Sequence, residues 1–213
     1  GVAEPILSGG PESDAEMRLK NYEHVMIWVS VNSLQHRDSL DFPLAAKALN
    51  VAKVKTETLT HEANMLLICK HSFVLPLLEC LRGAGASEEF ACHYIVTTRC
   101  SEDVQARVNS YASTSPTTRR VPVPLVAKWA SQLLDALAHC HSVSVLHRDI
   151  KLNNLLCSSP AAHCDVVVGD FGLACKAKRG RWRLAGTGSY FAPEALLEGI
   201  QNHKADAWAA GIC

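Results

Sequence analysis

The sequence predicts an α+β fold, and three observations carry that prediction. Short β-rich runs, Val25-Met26-Ile27-Trp28-Val29 and Phe42-Pro43-Leu44-Ala45-Ala46-Lys47, occupy the first fifty residues. Apolar residues then recur at helical spacing, first from Glu62 through Met65, Leu66 and Cys69, and again from Leu125 onward. A hydrophobic content of 48% over 213 residues is ample for a packed core, in one large or two small domains.

Each element follows from local chemistry. Residues 1–18 carry Pro5, Ser8-Gly9-Gly10-Pro11 and Asp14 with little periodicity, and read as a lead-in. A strand is expected within residues 22–31, a polar loop over 32–41, and a second strand that ends in Lys47. The helix carrying Glu62 is followed by His71-Ser72-Phe73-Val74-Leu75, which reads as the next strand. Residues 110–124 hold Ser, Thr and Pro with Arg119-Arg120 and are expected to form an exposed loop. Val126, Trp129, Leu133, Leu134 and Leu137 then trace one face of a helix. Residues 157–165 form a turn-rich insertion, and Asp165-Val166-Val167-Val168-Gly169 is a strand leading to Asp170.

Composition excludes several function classes. Lysine plus arginine equals aspartate plus glutamate at 21 each, so no bulk charge points to nucleic acid or to an acidic membrane. The nine cysteines are odd in number and lack any C-x-x-C pair, which favours reduced thiols in the cytosol over a disulfide framework or a zinc site. No apolar run approaches the roughly 20 residues that span a bilayer, and no basic segment leads into an apolar core at the start. His139 and His141 have no metal-ligand spacing around them and read as structural.

The chemistry is concentrated further on. Val145-Leu146-His147-Arg148-Asp149-Ile150-Lys151-Leu152-Asn153-Asn154 is followed by Asp170-Phe171-Gly172, Gly186-Thr187 and Ala192-Pro193-Glu194. A carboxylate that accepts a hydroxyl hydrogen bond can orient an attacking oxygen, and hard cations prefer carboxylate and amide oxygens. The tripeptide alone is a weak signal: His36-Arg37-Asp38 repeats it, yet Leu40 and Pro43 stand where a lysine and an asparagine should follow. The whole constellation, running on to Asp206, Trp208 and Gly211, is specific.

In that order and spacing the chain resembles the protein kinases, serine/threonine class. The resemblance implies a bilobal fold with ATP between the lobes. Its parts are a lead-in at residues 1–18, a small β-rich lobe with hinge at 19–100, and a helical lobe at 101–213. It implies Asp149 as catalytic base, Asn154 and Asp170 as Mg²⁺ ligands, and Phe171 as a packing residue. Lys151 would reach the transferred phosphate, and Thr187 would bond near Asp149 and Lys151; both features favour serine or threonine substrates. Asp206 would hydrogen-bond the backbone of the catalytic loop.

In the first lobe the resemblance pairs Lys47 with Glu62, the lysine holding the α- and β-phosphates. Lys53 and Lys55 are rivals, but either leaves too little chain to reach a helix bearing Glu62. Tyr94-Ile95-Val96-Thr97-Thr98-Arg99-Cys100 resembles the last strand and the hinge, with Thr97 as gatekeeper and the backbone of Thr98 and Cys100 beside adenine. Val25, Ala45 and Leu156 match the packing stack completed by adenine, and Leu66, Leu77, Phe171 and His147 the stack that aligns the active state. The chain stops at Cys213, before the further helices of such a lobe, and reads as a fragment expected to fold poorly alone.

Two departures stand out. No G-x-G-x-x-G precedes Lys47; Met17-Arg18-Leu19-Lys20-Asn21-Tyr22-Glu23-His24-Val25 takes its place, with weaker nucleotide binding as the expected cost. A pseudokinase scaffold is therefore the alternative of a different class, and a small-molecule kinase of the same fold is a third. Arg148 normally receives an activation-segment phosphate, yet residues 173–185 contain no serine, threonine or tyrosine. They carry Lys176, Lys178, Arg179, Arg181 and Arg183 instead, read either as a solvated basic loop or as a surface for acidic protein substrates.

Overall fold

A computed structural model describes residues 24–29, 44–50, 56–83, 92–114, 120–177 and 182–213. The expected lead-in, most of the stretch replacing the glycine loop, the 32–41 loop, Lys53, Lys55, Lys178, Arg179 and Arg181 lie outside the described residues. The fold is α+β, with an antiparallel sheet first and helices after it. Two compact units are present. One takes the described residues up to Asn64 together with Pro76–Arg99, the other Met65–Leu75 together with Cys100–Cys213.

The first unit is a four-stranded antiparallel sheet in the order β1-β2-β4-β3, made of β1 (His24–Val29), β2 (Leu44–Asn50), β3 (Leu77–Gly83) and β4 (Cys92–Thr98). Alternation along β2 and β4 sorts their side chains. Leu44, Ala46 and Val96 form a buried cluster with Leu81 and Tyr94 against it. Ala45 lies opposite Thr97, and Lys47 opposite Ile95, so these four share the other face. Helix α1 (Thr56–Ile68) brings Glu62 to this unit.

One expectation about this part of the chain changes. The strand after α1 is Leu77–Gly83, not residues 71–75. Val74 makes only a parallel bridge to Val168, with the Val168 amide donating to the Phe73 carbonyl and the Leu75 amide to the Val168 carbonyl, both at 2.9 Å. Those bonds lie within the second compact unit, to which residues 65–75 belong.

In the second unit, α2 (Val104–Thr114) follows the short strand β5 (Glu102–Asp103), so the start of the expected 110–124 loop is helical. Arg107 explains the stability of this corner. It is 7% exposed, pairs with Glu102 through Nε, and donates to the Ala161 carbonyl at 3.0 Å and the Ser159 carbonyl at 3.3 Å. One guanidinium thereby closes the turn-rich 158–163 segment. Arg107→Ala is expected to cost about 2–3 kcal/mol, since it strands a carboxylate and two carbonyls, and to lower the thermal midpoint by about 5–10 °C. A midpoint within about a degree of wild type would assign the loop's order to something else.

Helix α3 (Val123–Ser142) starts at two prolines, Pro122 at the cap and Pro124 in its first turn, where a missing N–H costs nothing. Its buried face is Leu125, Trp129, Gln132, Leu133, Ala136, Leu137 and Cys140. Val126 and Leu134, expected inward, are 48% and 54% exposed. The row Leu125-Trp129-Leu133-Leu137 faces the core, and Val126 and Leu134 lie about 100° round from it. This face grips the approach to β8 (Val166–Val168). Trp129 Nε1 donates to the Cys164 carbonyl at 3.1 Å, while Gln132 donates to Asp165 Oδ1 at 2.6 Å and accepts from the Val166 amide at 3.0 Å.

Strand β7 (Leu155–Cys157) lies between β5 and β8, and β6 (Val145–Leu146) pairs with β9 (Cys175–Lys176). Further on, β10 (Trp182–Arg183) pairs with β11 (Ile200–Gln201), flanking α4 (Pro193–Glu198), and α5 (His203–Ile212) closes the chain. Cys69, Cys140, Cys157, Cys164 and Cys175 are free thiols buried as small apolar groups. Among the described residues no helix is long and apolar enough to cross a membrane.

Candidate active site

Asp206 organises the loop between β6 and β7. Its carboxylate, 3% exposed, accepts from the His147 amide through Oδ2 and the Arg148 amide through Oδ1, both at 2.9 Å. His141 Nε2 adds a contact to Oδ2 at 3.0 Å, which gives that histidine the structural part expected of it. His139 stacks on His71 with centroids 5.0 Å apart. Held in this way, Arg148 adopts φ 68, a left-handed conformation that turns the chain and presents Asp149.

Asp149 sits at the centre of a closed network. Lys151 Nζ donates to its Oδ2 at 2.7 Å and to Thr187 Oγ1 at 3.0 Å. Thr187 Oγ1 in turn donates to Asp149 Oδ1 at 2.7 Å. Asn154 Nδ2 donates to the Asp149 carbonyl at 2.7 Å and to Oδ2 at 3.1 Å. Burial pushes the Asp149 carboxyl up, but hydrogen bonds from Lys151 and Thr187, the Lys151 charge and the Asn154 amide outweigh it and hold the group below the usual aspartate range. At neutral pH it is therefore an ionised acceptor.

Asp170 reaches the surface because its neighbours are locked inside. Phe171 is fully buried with its ring edge-on to His147, centroids 4.7 Å apart. His147 Nε2 meets the Gly169 carbonyl at 3.0 Å, and the Gly169 amide donates to the Asn154 carbonyl at 2.8 Å. Between these anchors Asp170 takes φ 54 and projects outward as an exposed carboxylate.

These donors suit Mg²⁺. Asn154 spends its amide nitrogen on Asp149, so Oδ1 is the atom this side chain could offer a cation. Asp170 adds a carboxylate, so both groups are hard oxygens. Among the described residues no three His, Cys, Asp or Glu side chains gather as a metal set. Mg²⁺ does not require one, since it keeps several waters and is completed by phosphate oxygens.

The other expected residues fall in two places. In the first unit Lys47 Nζ donates to Glu62 Oε2 at 2.7 Å, with both side chains mostly buried. Ala45 and Thr97 are buried beside that pair, Thr98 is half-buried at the end of β4, and Val25 lies on β1 paired with Ala48. In the second unit Leu156 is paired with Val167 and half-buried, and Cys100 is half-buried. Burial, aided by nearby Cys164, pushes the Cys100 thiol up to about 11, so it is no activated nucleophile.

One position here had no signal in the sequence. Gln201 is 4% exposed, accepts from the Ala185 amide at 3.1 Å and donates to the Ala185 carbonyl at 2.8 Å. A glutamine sixteen residues away carries no mark of such a contact. Arg148, whose usual phosphate-bearing partner the sequence lacks, donates from Nε to the Leu173 carbonyl at 2.7 Å and from Nη1 to the Arg183 carbonyl at 3.4 Å.

A model of the protein kinase domain matches residues 30–213. The chain is 30% identical over 178 residues to the calcium/calmodulin-dependent protein kinase type II of Caenorhabditis briggsae, covering 79% of this chain and 30% of that protein. It is 42% identical over 85 residues to the serine/threonine-protein kinase chk-2 of Caenorhabditis elegans, covering 39% of this chain and 18% of that one. It is 29% identical over 158 residues to the serine/threonine-protein kinase US3 of Human herpesvirus 1 (strain 17), covering 72% and 30%. The chain thus spans less than a third of the length of each of these relatives.

Proposed function

Because this chain belongs to the protein kinase domain family, we propose that it is a Mg·ATP-dependent serine/threonine kinase acting on protein hydroxyls. The observation that carries this reading is the network in which Lys151, Asn154 and Thr187 all bond to the Asp149 carboxylate. Phosphoryl transfer needs positioning and charge neutralisation more than covalent help. Asp149 is the acceptor for the substrate hydroxyl proton, orienting the oxygen toward the γ-phosphorus. Lys151 offsets charge on the transferred group, and Thr187 keeps both in register.

Lys47, steadied by Glu62, is the cation for the α- and β-phosphates, and Ala45, Val25, Thr97, Thr98, Cys100 and Leu156 are proposed around adenine. Asn154 and Asp170 would hold Mg²⁺, which when bound neutralises charge on the phosphate oxygens. The division into a small lobe with hinge and a helical lobe belongs to the same reading. A cytoplasmic setting agrees with the free buried thiols. Acidic protein substrates are proposed on the cations of residues 173–185, of which Lys176 and Arg183 are exposed.

The test is Mg²⁺-dependent transfer from ATP to a serine/threonine peptide pool with acidic and basic members, beside Asp170→Ala. Wild type is expected to label peptides, acidic ones better, and Asp170→Ala to lose about a hundredfold or more in kcat/KM. Equal activity of the two proteins sinks the metal role, and equal labelling of acidic and basic peptides sinks the acidic preference. The absent glycine motif favours one other reading, a scaffold with little turnover. No transfer and no Mg·ATP thermal shift would select it.

A further inference from the structure

Residues 173–185 hold no hydroxyl side chain to phosphorylate, yet the stretch entering Thr187 is fastened at every described step. Trp182 and Arg183 pair with Gln201 and Ile200 as strands. The Leu184 amide donates to the Gly199 carbonyl at 3.2 Å. Ala185 gives its amide to Gln201 Oε1 at 3.1 Å and takes Gln201 Nε2 on its carbonyl at 2.8 Å. The primary amide thus meets Ala185 as a strand residue's backbone would, with donor and acceptor both spent on a single partner.

The two residues after Ala185 transmit that grip. Gly186, at φ 111, lies directly against the Arg148 carbonyl, and Thr187 bonds Asp149. A shift of Ala185 therefore moves the Thr187 hydroxyl away from the Asp149 carboxylate within two residues. Arg148 holds the same segment from its other side through the carbonyls of Leu173 and Arg183. We infer that Gln201 is a positioning residue that keeps the segment before Thr187 in its working geometry without any activating phosphate. This deepens the kinase reading and rests on it for its catalytic part.

The fastening can be read apart from catalysis. Gln201→Ala removes both bonds, and Gln201→Glu keeps the shape but turns an oxygen toward the Ala185 carbonyl. Amide exchange at residues 183–187 is expected to quicken by about tenfold or more in both variants, with exchange in α3 unchanged. In kinetics, kcat for peptide is expected to fall about ten- to a hundredfold while KM for ATP stays within about twofold. Phosphatase treatment of wild type is expected to leave kcat/KM unchanged. Wild-type exchange and kcat in both variants overturn the inference. So does loosening that spreads through α3, which marks a merely structural residue, or a tenfold loss on phosphatase treatment. Wild type without any transfer would overturn the kinase reading and this residue's catalytic part together, and the exchange data would then decide the fastening alone.

Discussion

Asp149→Asn is expected to lower peptide phosphorylation by about 10²–10⁴-fold, while Mg·ATP still raises the thermal midpoint of the variant. The amide matches the carboxylate in shape, but it carries no charge and places an NH₂ against Thr187 or Lys151, both of which donate to this position. Lys47, Glu62 and Asp170 are untouched, which separates nucleotide binding from chemistry. The pH profile sharpens the test. The folded carboxyl titrates below its ordinary value because three donors outweigh its burial, so the acidic limb of kcat/KM should lie below about pH 4. Ionised Asp149 stabilises the fold above about pH 4, where the unfolded group is charged too, and that contribution fades as pH falls through the lower folded value. A variant keeping more than about a tenth of wild-type activity, or an acidic limb near neutrality, would remove Asp149 from the role of base.

Gly186→Ala is expected to damage both stability and activity, whereas Gly188→Ala, two residues on, should do neither. A Cβ on Gly186 would sit 2.2 Å from the Arg148 carbonyl oxygen and 3.3 Å from Asp149 Oδ1, at a φ of +111 that side chains avoid. Overpacking and backbone strain together are worth roughly 2–5 kcal/mol, a large share of the 5–15 kcal/mol or so that typically separates folded from unfolded chains. The carbonyl in contact belongs to the residue before Asp149, so any relaxation displaces the carboxylate, and about a hundredfold loss of kcat/KM is expected. Around Gly188 a Cβ meets nothing within 4 Å, and the change should stay within about 0.5 kcal/mol. Thermal denaturation and peptide kinetics of the two variants check the contrast. Similar behaviour of both would mean that Gly186 is not held against Arg148.

Much of the candidate site was legible because its chemistry is written in contiguous pieces. Asp149, Lys151 and Asn154 fall within six residues, so their meeting depends on one loop, and the run of valines before Gly169 announces the strand that delivers Asp170. The family resemblance paired Lys47 with Glu62, and the length of chain before the helix set Lys53 and Lys55 aside. Periodicity served less well where the direction of burial mattered. In α3 the leucine and valine pattern allows more than one inward face, and only the packing against the approach to β8 decides that Leu125 and Cys140 are covered while Val126 and Leu134 are not. Residues 110–114 read as loop because serine and threonine are weak helix formers, yet they continue the helix whose Arg107 is locked to the 158–163 turn.

The sequence by itself determined the family and the α+β class, and it named the groups proposed for phosphoryl transfer, because each depends on residue type and short spacing. Tertiary structure alone decided what holds those groups still. Gln201 clasps Ala185 from another strand, Arg148 donates to the Leu173 and Arg183 carbonyls, and Arg107 ties the 158–163 turn to its helix. For Asp206 the resemblance implied the loop backbone as its partner, and the packing supplies the His147 and Arg148 amides. A polar side chain's partner is fixed by which buried backbone groups the fold leaves unpaired, and that is settled only when distant segments have packed.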